Sequence, residues 1–134
     1  MEITVVKEFT FDAAHYLPNH PGKCQNTHGH TYRLQVGFKG PVDLETGMVV
    51  DFGELKKTVE KNIVEKVDHT YLNLINDEKT VIPNFPCQLP TAENMVIWIV
   101  RELKRTLKIV HDDLVKLSLV RLYETPTSYA EWRA

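Results

Sequence analysis

Two segments near the beginning of the chain alternate apolar and polar side chains, as half-buried strands do. In residues 3 to 11 the apolar parity is held by Ile3, Val5, Phe9 and Phe11. From position 28 the alternation resumes, with one face formed by His28, His30, Tyr32, Leu34, Val36 and Phe38. Residues 18 to 26 between them are rich in turn formers and predict a loop.

Two helices are predicted in the second half of the chain. Asp51 followed by Glu54 resembles a capping box, and apolar residues then recur every fourth position at Leu55, Val59, Ile63 and Val67. Met48 to Val50, just before this helix, predicts a short strand. Thr91 is expected to cap a second helix over roughly 92–108, which is apolar on more than one face. We therefore expect that helix to be buried on two sides.

The remaining segments complete a strand, strand, helix, helix, strand, strand order. Residues 68–90 form a long connection with three prolines, which in a small domain is usually functional or packed on a partner. A strand is predicted over 115–123, with Val115, Leu117, Leu119 and Tyr123 on one parity, and a last one over 128–132. This order predicts a single α+β domain over 1–134, with helices on one face of an antiparallel sheet.

Composition excludes several classes of protein. The chain is 43% hydrophobic and 25% charged, with a net charge of -2, so it lacks the basic excess of nucleic-acid binders. No apolar run approaches the roughly 20 residues of a membrane span, and the beginning of the chain does not resemble a signal peptide. Two cysteines are too few for a disulfide scaffold. A cytoplasmic protein with reduced thiols is expected.

Histidines supply the strongest chemical signal. His28 and His30 lie two positions apart on one predicted strand, so their side chains can converge on one ion. Pairing of the first two strands would add His15. Three neutral imidazoles suit Zn2+ and leave a fourth position open, as in catalytic sites. The alternative is a surface pair on a strand, and His20 and His111 are expected to be solvated surface residues.

A cysteine in the predicted loop has several possible roles. Cys24 could be a fourth zinc ligand in a closed structural site, or a free thiolate beside the metal, favoured by the nearby Lys23. It could also be an incidental loop cysteine, the interpretation adopted for Cys87.

Carboxylates at two places could complete a site. Asp68 precedes His69, and a carboxylate can orient an imidazole, although a solvated helix-end pair would look the same. Glu124 ends an apolar strand, either as an exposed strand end or as a buried acceptor for a pair of N–H donors such as those of a pterin ring.

Six short motifs follow one another along the chain: Phe11-Asp12-Ala13-Ala14-His15, Cys24-Gln25-Asn26-Thr27-His28-Gly29-His30, Met48-Val49-Val50-Asp51-Phe52, Asp68-His69-Thr70-Tyr71-Leu72-Asn73, Pro90-Thr91-Ala92-Glu93-Asn94 and Glu124-Thr125. Together, in this order, they resemble the 6-pyruvoyl-tetrahydropterin synthase superfamily from about Val6 to Trp132. The three-residue gap between Cys24 and His28 resembles the 6-carboxy-tetrahydropterin synthases of the queuosine pathway; pyruvoyl-forming relatives typically have a longer gap.

This resemblance implies a fold and a set of roles. The fold would be the tunnelling fold (T-fold), a four-stranded antiparallel sheet with two helices, whose subunits join sheets into barrels, commonly as homohexamers with sites at subunit interfaces. The implied roles are zinc ligands for His15, His28 and His30, a catalytic base for Cys24, a proton relay for Asp68 and His69, a pterin anchor for Glu124 and a pterin contact for Thr91.

The expected reaction is zinc-dependent conversion of 7,8-dihydroneopterin triphosphate to 6-carboxytetrahydropterin, with release of acetaldehyde and triphosphate. Lys23 is expected to help bind the triphosphate. The alternatives are a 6-pyruvoyl-tetrahydropterin synthase, which only eliminates triphosphate, and a non-catalytic zinc or pterin-binding module. The sequence departs from the family pattern over Asn76 to Pro90, which is longer and richer in proline, so that wall of the site is not predicted.

Overall fold

The computed structural model describes residues 1–74, 89–107 and 113–134, which contain five strands and two helices. The strands are β1 (Glu2–His15), β2 (His28–Pro41), β3 (Thr70–Tyr71), β4 (Lys116–Thr125) and β5 (Ser128–Arg133). Helix α1 comprises Phe52–Val59, a π-helical segment Glu60–Val64 and a last turn Glu65–Val67; α2 is Ala92–Leu107. Short 3₁₀ turns span Lys23–Gln25 and Leu72–Leu74. Neither helix has the length and apolar character that crossing a membrane requires.

The strands form one sheet in the order β3-β1-β2-β4-β5. The four long strands pair antiparallel, which confirms the predicted α+β architecture. The fifth strand is a correction to the predicted four, because β3 runs parallel to β1 at the edge, opposite Ala13 and Ala14. A strand of two residues is too short to show alternation. It occupies part of the predicted 68–90 connection, of which residues 75–88 lie outside the described residues.

One face of the sheet packs against the helices and forms the core. The predicted inward positions of β2, from Tyr32 to Phe38, are buried, as is the predicted stripe of α1 from Leu55 to Val67. Helix α2 contacts β4, β5 and the π-helical segment of α1, so it is covered on two sides as expected. Its buried apolar residues are Met95, Val96, Trp98, Ile99, Val100 and Leu103.

The π-helical segment explains why a strict four-residue repeat stays on one face. An α-helix has 3.6 residues per turn, so an apolar residue at every fourth position drifts around the helix. The wider π turn, marked by the Glu65 N–H donating to the Glu60 carbonyl, offsets this drift. As a result Leu55 and Val67, three repeats apart, are both buried.

A β-bulge changes the predicted parity of β4. Phe38 pairs with Leu117 but Gly37 pairs with Leu119, so Ser118 is an extra residue on β4. Beyond it, Val120 and Leu122 belong to the buried core cluster, whereas Leu119 does not. The prediction that Leu117, Leu119 and Tyr123 share a face is therefore wrong, because the bulge reverses the alternation. Glu124 has the same parity as Val120 and Leu122, and its carboxylate lies beside His30 on the core-facing side of the sheet, at a second register shift between Tyr123 and Thr125.

The predicted strand at Met48–Val50 is also wrong, because these residues form no ladder. The preceding residues close a turn on Asp43, whose N–H donates to the Met48 carbonyl (2.9 Å) and whose carbonyl accepts from the Gly47 N–H (2.8 Å). Residues 48–50 instead link this turn to Asp51, the capping residue of α1.

Asp51 caps α1 as predicted, and replacing it should destabilise the fold. Its carboxylate accepts from the N–H groups of Gly53 (2.7 Å) and Glu54 (3.1 Å). We expect Asp51→Ala to lower the free energy of unfolding by about 1 kcal/mol. Asp51→Asn is the matched control, because asparagine caps about as well. Equal stabilities of the alanine and asparagine variants in urea denaturation would contradict the assignment.

Candidate metal centre and active site

Three histidines converge on the core-facing side of the sheet, where β1 ends and β2 begins. The register pairs His15 with His28 and Ala13 with His30, so the antiparallel ladder brings all three rings together. One nitrogen of each ring lies within 4.8 Å of the corresponding nitrogens of the other two. His15 is fully buried, and His28 and His30 are half-buried. Within the described residues the cluster contains these three groups and not Cys24.

Backbone carbonyls fix the protonation of two of the rings. His15 Nδ1 lies 2.8 Å from the Pro90 carbonyl, and His28 Nδ1 lies 2.8 Å from the Asn26 carbonyl. A carbonyl can only accept, so each Nδ1 carries the proton and each neutral ring has its lone pair on Nε2. Metal-binding histidines commonly show this arrangement, in which the second nitrogen donates to an outer partner.

The cluster fits a cation at its centre. His15 Nε2 and His28 Nε2 are 3.0 Å apart, so the lone pairs of the two rings face each other when both rings are neutral. The buried His30 Nε2 makes no hydrogen bond in the described part of the chain. Ligands at about 2.0–2.1 Å from a tetrahedral zinc lie about 3.3 Å apart, close to the separation found. A metal ion would convert this repulsion into coordination.

Burial keeps the imidazoles in the form that binds metals. It lowers the pKa of His15, partly opposed by the Pro90 carbonyl, and it lowers the pKa of His30, partly opposed by the Glu124 carboxylate. Near neutral pH both rings are therefore unprotonated, and their lone pairs are available.

Two further polar groups border the cluster. Glu124 Oε1 lies 3.4 Å from His30 Nε2, with the glutamate side chain 27% exposed. Glu124 is therefore partly exposed, which lies between the two interpretations of the sequence, an exposed strand end and a buried acceptor. The buried Tyr32 hydroxyl lies 3.4 Å from His15 Nδ1, and burial raises the pKa of Tyr32.

Thr91 adjoins the cluster through its neighbour in sequence, Pro90, whose carbonyl binds His15. The Thr91 hydroxyl accepts from the Asn94 N–H at 3.2 Å, which confirms the predicted helix cap. Cys24 and Lys23 lie in the 3₁₀ turn before β2, where Cys24 is half-buried and Lys23 is exposed. The Leu17 N–H donates to the Cys24 carbonyl at 2.7 Å and fixes this turn.

Asp68 and His69 form a second cluster on the other side of β1. Asp68 Oδ1 lies 2.9 Å from His69 Nδ1, so the carboxylate does orient the adjacent ring. The His69 side chain is 78% exposed, and no hydrogen bond or ion pair in the described ranges joins this pair to the three histidines. The Asp12 N–H donates to Asp68, which is the largest cause of the lowered pKa of Asp68.

Sequence reasoning missed the groups that support these residues. The carbonyls of Pro90 and Asn26 leave no trace in side-chain patterns. Asp12 had a signal, since it is the polar residue inside the quoted Phe11-to-His15 motif, but its partner at residue 68 is distant in sequence. His20 is exposed as expected, whereas His111 and Cys87 lie outside the described residues.

Comparisons with known proteins agree with this architecture. A sequence model of the 6-pyruvoyl tetrahydropterin synthase family matches residues 4–134. A 6-carboxy-5,6,7,8-tetrahydropterin synthase from Haemophilus influenzae is 38% identical, with 96% of this chain and 97% of that protein covered. A protein of the same name from Synechocystis is 34% identical, with 96% and 91% covered. The solved Caenorhabditis elegans 6-pyruvoyl tetrahydropterin synthase has a TM-score of 0.81 and 29% identity, with 100% and 96% covered.

The fold is that of the tetrahydropterin synthases, and the histidine cluster gives it a candidate metal site. The chain belongs to the 6-pyruvoyl tetrahydropterin synthase family. Among its relatives, those named 6-carboxy-5,6,7,8-tetrahydropterin synthase cover nearly the full chain.

The histidine cluster predicts a specific response to metal. We expect the chelator-treated protein to bind one zinc ion per chain, and single replacements of His28 or His30 by alanine to weaken binding by more than about a hundredfold. His20→Ala is the control, because His20 is exposed and outside the cluster. Titration calorimetry measures the number of zinc ions bound per chain and the affinity of each variant for zinc. Equal losses in the control and cluster variants would contradict the assignment.

Proposed function

We propose that this chain is a 6-carboxy-5,6,7,8-tetrahydropterin synthase that acts on 7,8-dihydroneopterin triphosphate in queuosine biosynthesis, in the cytoplasm. The observation that carries the proposal is the convergence of three imidazole nitrogens beside a carboxylate, Glu124, in a chain whose near-full-length relatives bear that name. The short gap between Cys24 and His28 supports the carboxy-forming branch.

Zinc is the metal that we propose for the three-histidine cluster. Its ligand number and nitrogen preference match His15, His28 and His30, with one position left for the substrate. When bound, the ion supplies Lewis acidity that makes protons of the substrate side chain easier to remove.

The residues around the cluster then have distinct tasks. Glu124 presents two acceptor oxygens, which match the ring N–H and amino donors of a pterin and would orient it. Cys24, as a thiolate, would take a proton from the substrate side chain. Lys23, exposed in the same turn, would attract the triphosphate, and Thr91 would line the pterin side near Pro90.

The Asp68–His69 pair is proposed as the proton relay of an adjacent subunit. Its cluster lies across β1 from the histidines, and the His69 ring is largely exposed, so it is free to meet a neighbouring chain. Asp68 would hold the Nδ1 proton of His69 and leave Nε2 to exchange protons with the substrate.

Assembly of the chain, as a hexamer by family resemblance, would create such composite sites. Among the described residues β5 pairs only with β4, and β1 has β3 beside it only at Ala13 and Ala14. Within the described ranges, most of the outer edges of β1 and β5 therefore lack a paired strand, and other copies of the chain could satisfy their backbone groups. Exposed Ile3, Val6 and Tyr129 on these edge strands would be covered in the process.

The alternative is a 6-pyruvoyl-tetrahydropterin synthase, as the family model and the C. elegans structure are named. The two differ in whether the side-chain carbon bond is broken. Acetaldehyde is released only by the carboxy-forming reaction. A non-catalytic module would bind pterin and metal and release neither acetaldehyde nor triphosphate.

The product assay uses zinc-loaded protein, 7,8-dihydroneopterin triphosphate and mass analysis. We expect acetaldehyde, triphosphate and 6-carboxytetrahydropterin from the unmodified protein. Cys24→Ala should retain zinc and lose at least about 100-fold in kcat, the typical share of a general base. Cys87→Ala, the other cysteine, is the matched control and should keep activity. A pyruvoyl product, or loss of zinc from Cys24→Ala, would overturn this assignment.

Co-expression tests whether the relay acts across subunits. Cys24→Ala and His69→Ala should each be inactive alone, whereas mixed oligomers should recover about a quarter of the activity, because one interface in four combines both intact groups. Separately purified variants mixed without subunit exchange are the control. No recovery in verified mixed oligomers would mean that both groups must come from one chain.

A further inference from the structure

We propose that Asp12 is a positioning residue for the Asp68–His69 pair, and that it acts through a tether to Thr31. Asp12 lies on β1 with its side chain exposed, on the face opposite to the metal-site histidines. The effect on turnover rests on the proposed function, whereas the effect on the geometry of the His69 ring does not.

The backbone of Asp12 holds both members of the pair. Its N–H donates to Asp68 Oδ1 at 3.0 Å, and its carbonyl accepts from the His69 N–H at 2.6 Å. In an antiparallel ladder, alternate residues direct their backbone groups away from the partner strand. Asp12 therefore offers both groups to the corner at residues 68–69 without losing a bond to β2.

His69 adopts a conformation that needs such support. Its φ is 58°, and within the described ranges His69 is the non-glycine residue whose φ is positive. Left-handed backbone is disfavoured for residues with a Cβ and persists where surrounding contacts fix it. Here the contacts are the Asp12 carbonyl on the backbone and Asp68 on the ring.

The side chain of Asp12 ties this corner to the strand that carries two metal ligands. The Thr31 hydroxyl donates to Asp12 Oδ1 at 2.5 Å, and Thr31 directly follows His30. Carboxylate oxygens of Asp12 and Asp68 and a ring nitrogen of His69 all lie within 4.8 Å of one another. The hydrogen bond from Thr31 therefore holds Asp12 in place, and the backbone of Asp12 in turn binds both Asp68 and His69.

Three variants separate the tether from the negative charge. Asp12→Ala removes both, Thr31→Val removes only the tether, and Asp12→Asn keeps an acceptor oxygen for Thr31 while it removes the charge. Glu2→Gln is the control, since Glu2 is an exposed carboxylate at the far end of β1. Circular dichroism, melting temperature and zinc content verify that each variant is folded and loaded.

Nitrogen NMR of the His69 ring, without substrate, gives the direct test. We expect the unmodified protein to show a protonated Nδ1 and an unprotonated Nε2. In Asp12→Ala and Thr31→Val the two shifts should move toward each other as the tautomers mix, while Asp12→Asn and Glu2→Gln should retain the original pattern.

Kinetics should follow the same order. We expect kcat to fall about tenfold in Asp12→Ala and Thr31→Val with little change in KM, because a displaced catalytic group costs rate rather than binding. Unchanged ring shifts in Asp12→Ala, or an Asp12→Asn variant as impaired as Asp12→Ala, would overturn the proposal. If the unmodified protein does not turn over the pterin triphosphate, the proposed function fails, and the ring shifts still decide the role of Asp12.

Discussion

The metal site is built around the close approach of His15 Nε2 and His28 Nε2, which lie 3.0 Å apart and direct their lone pairs toward each other when both rings are neutral. The backbone enforces this geometry, because the carbonyls of Pro90 and Asn26 hold the Nδ1 protons of His15 and His28. The lone pairs cannot turn away without losing those bonds. The two lone pairs repel each other unless a cation lies between the nitrogens. This geometry therefore favours the binding of a cation at this point.

A β-bulge and a π-helical segment determine where Glu124 and Asp68 lie. The bulge at Ser118 reverses the alternation of β4, so Glu124 has the same parity as the buried Val120 and Leu122 and lies beside His30. The π-helical segment keeps the stripe of α1 on the core up to Val67, immediately before Asp68. Both devices add one residue to a regular element, and both position a proposed functional group.

Features that depend on local sequence patterns could be predicted, whereas features that depend on contacts between distant segments could not. Alternation predicted β1 and β2, and the two-residue spacing of His28 and His30 predicted their common face. The core stripe of α1 and the caps Asp51 and Thr91 follow from local chemistry and are confirmed. The bulge could not be foreseen, because an extra serine in a strand looks like any polar position. The two-residue β3 and the Asp12–Asp68 contact depend on tertiary proximity, which no local pattern encodes.

In the proposed site, three nitrogen ligands hold one metal ion and both cysteine sulfurs remain unbound. Zinc K-edge X-ray absorption of the loaded protein tests it directly. We expect a first shell of nitrogen and oxygen atoms at about 2.0–2.1 Å, with three of the ligands imidazoles. A sulfur scatterer at about 2.3 Å would show that Cys24 or Cys87 closes the site, and would contradict an open catalytic centre.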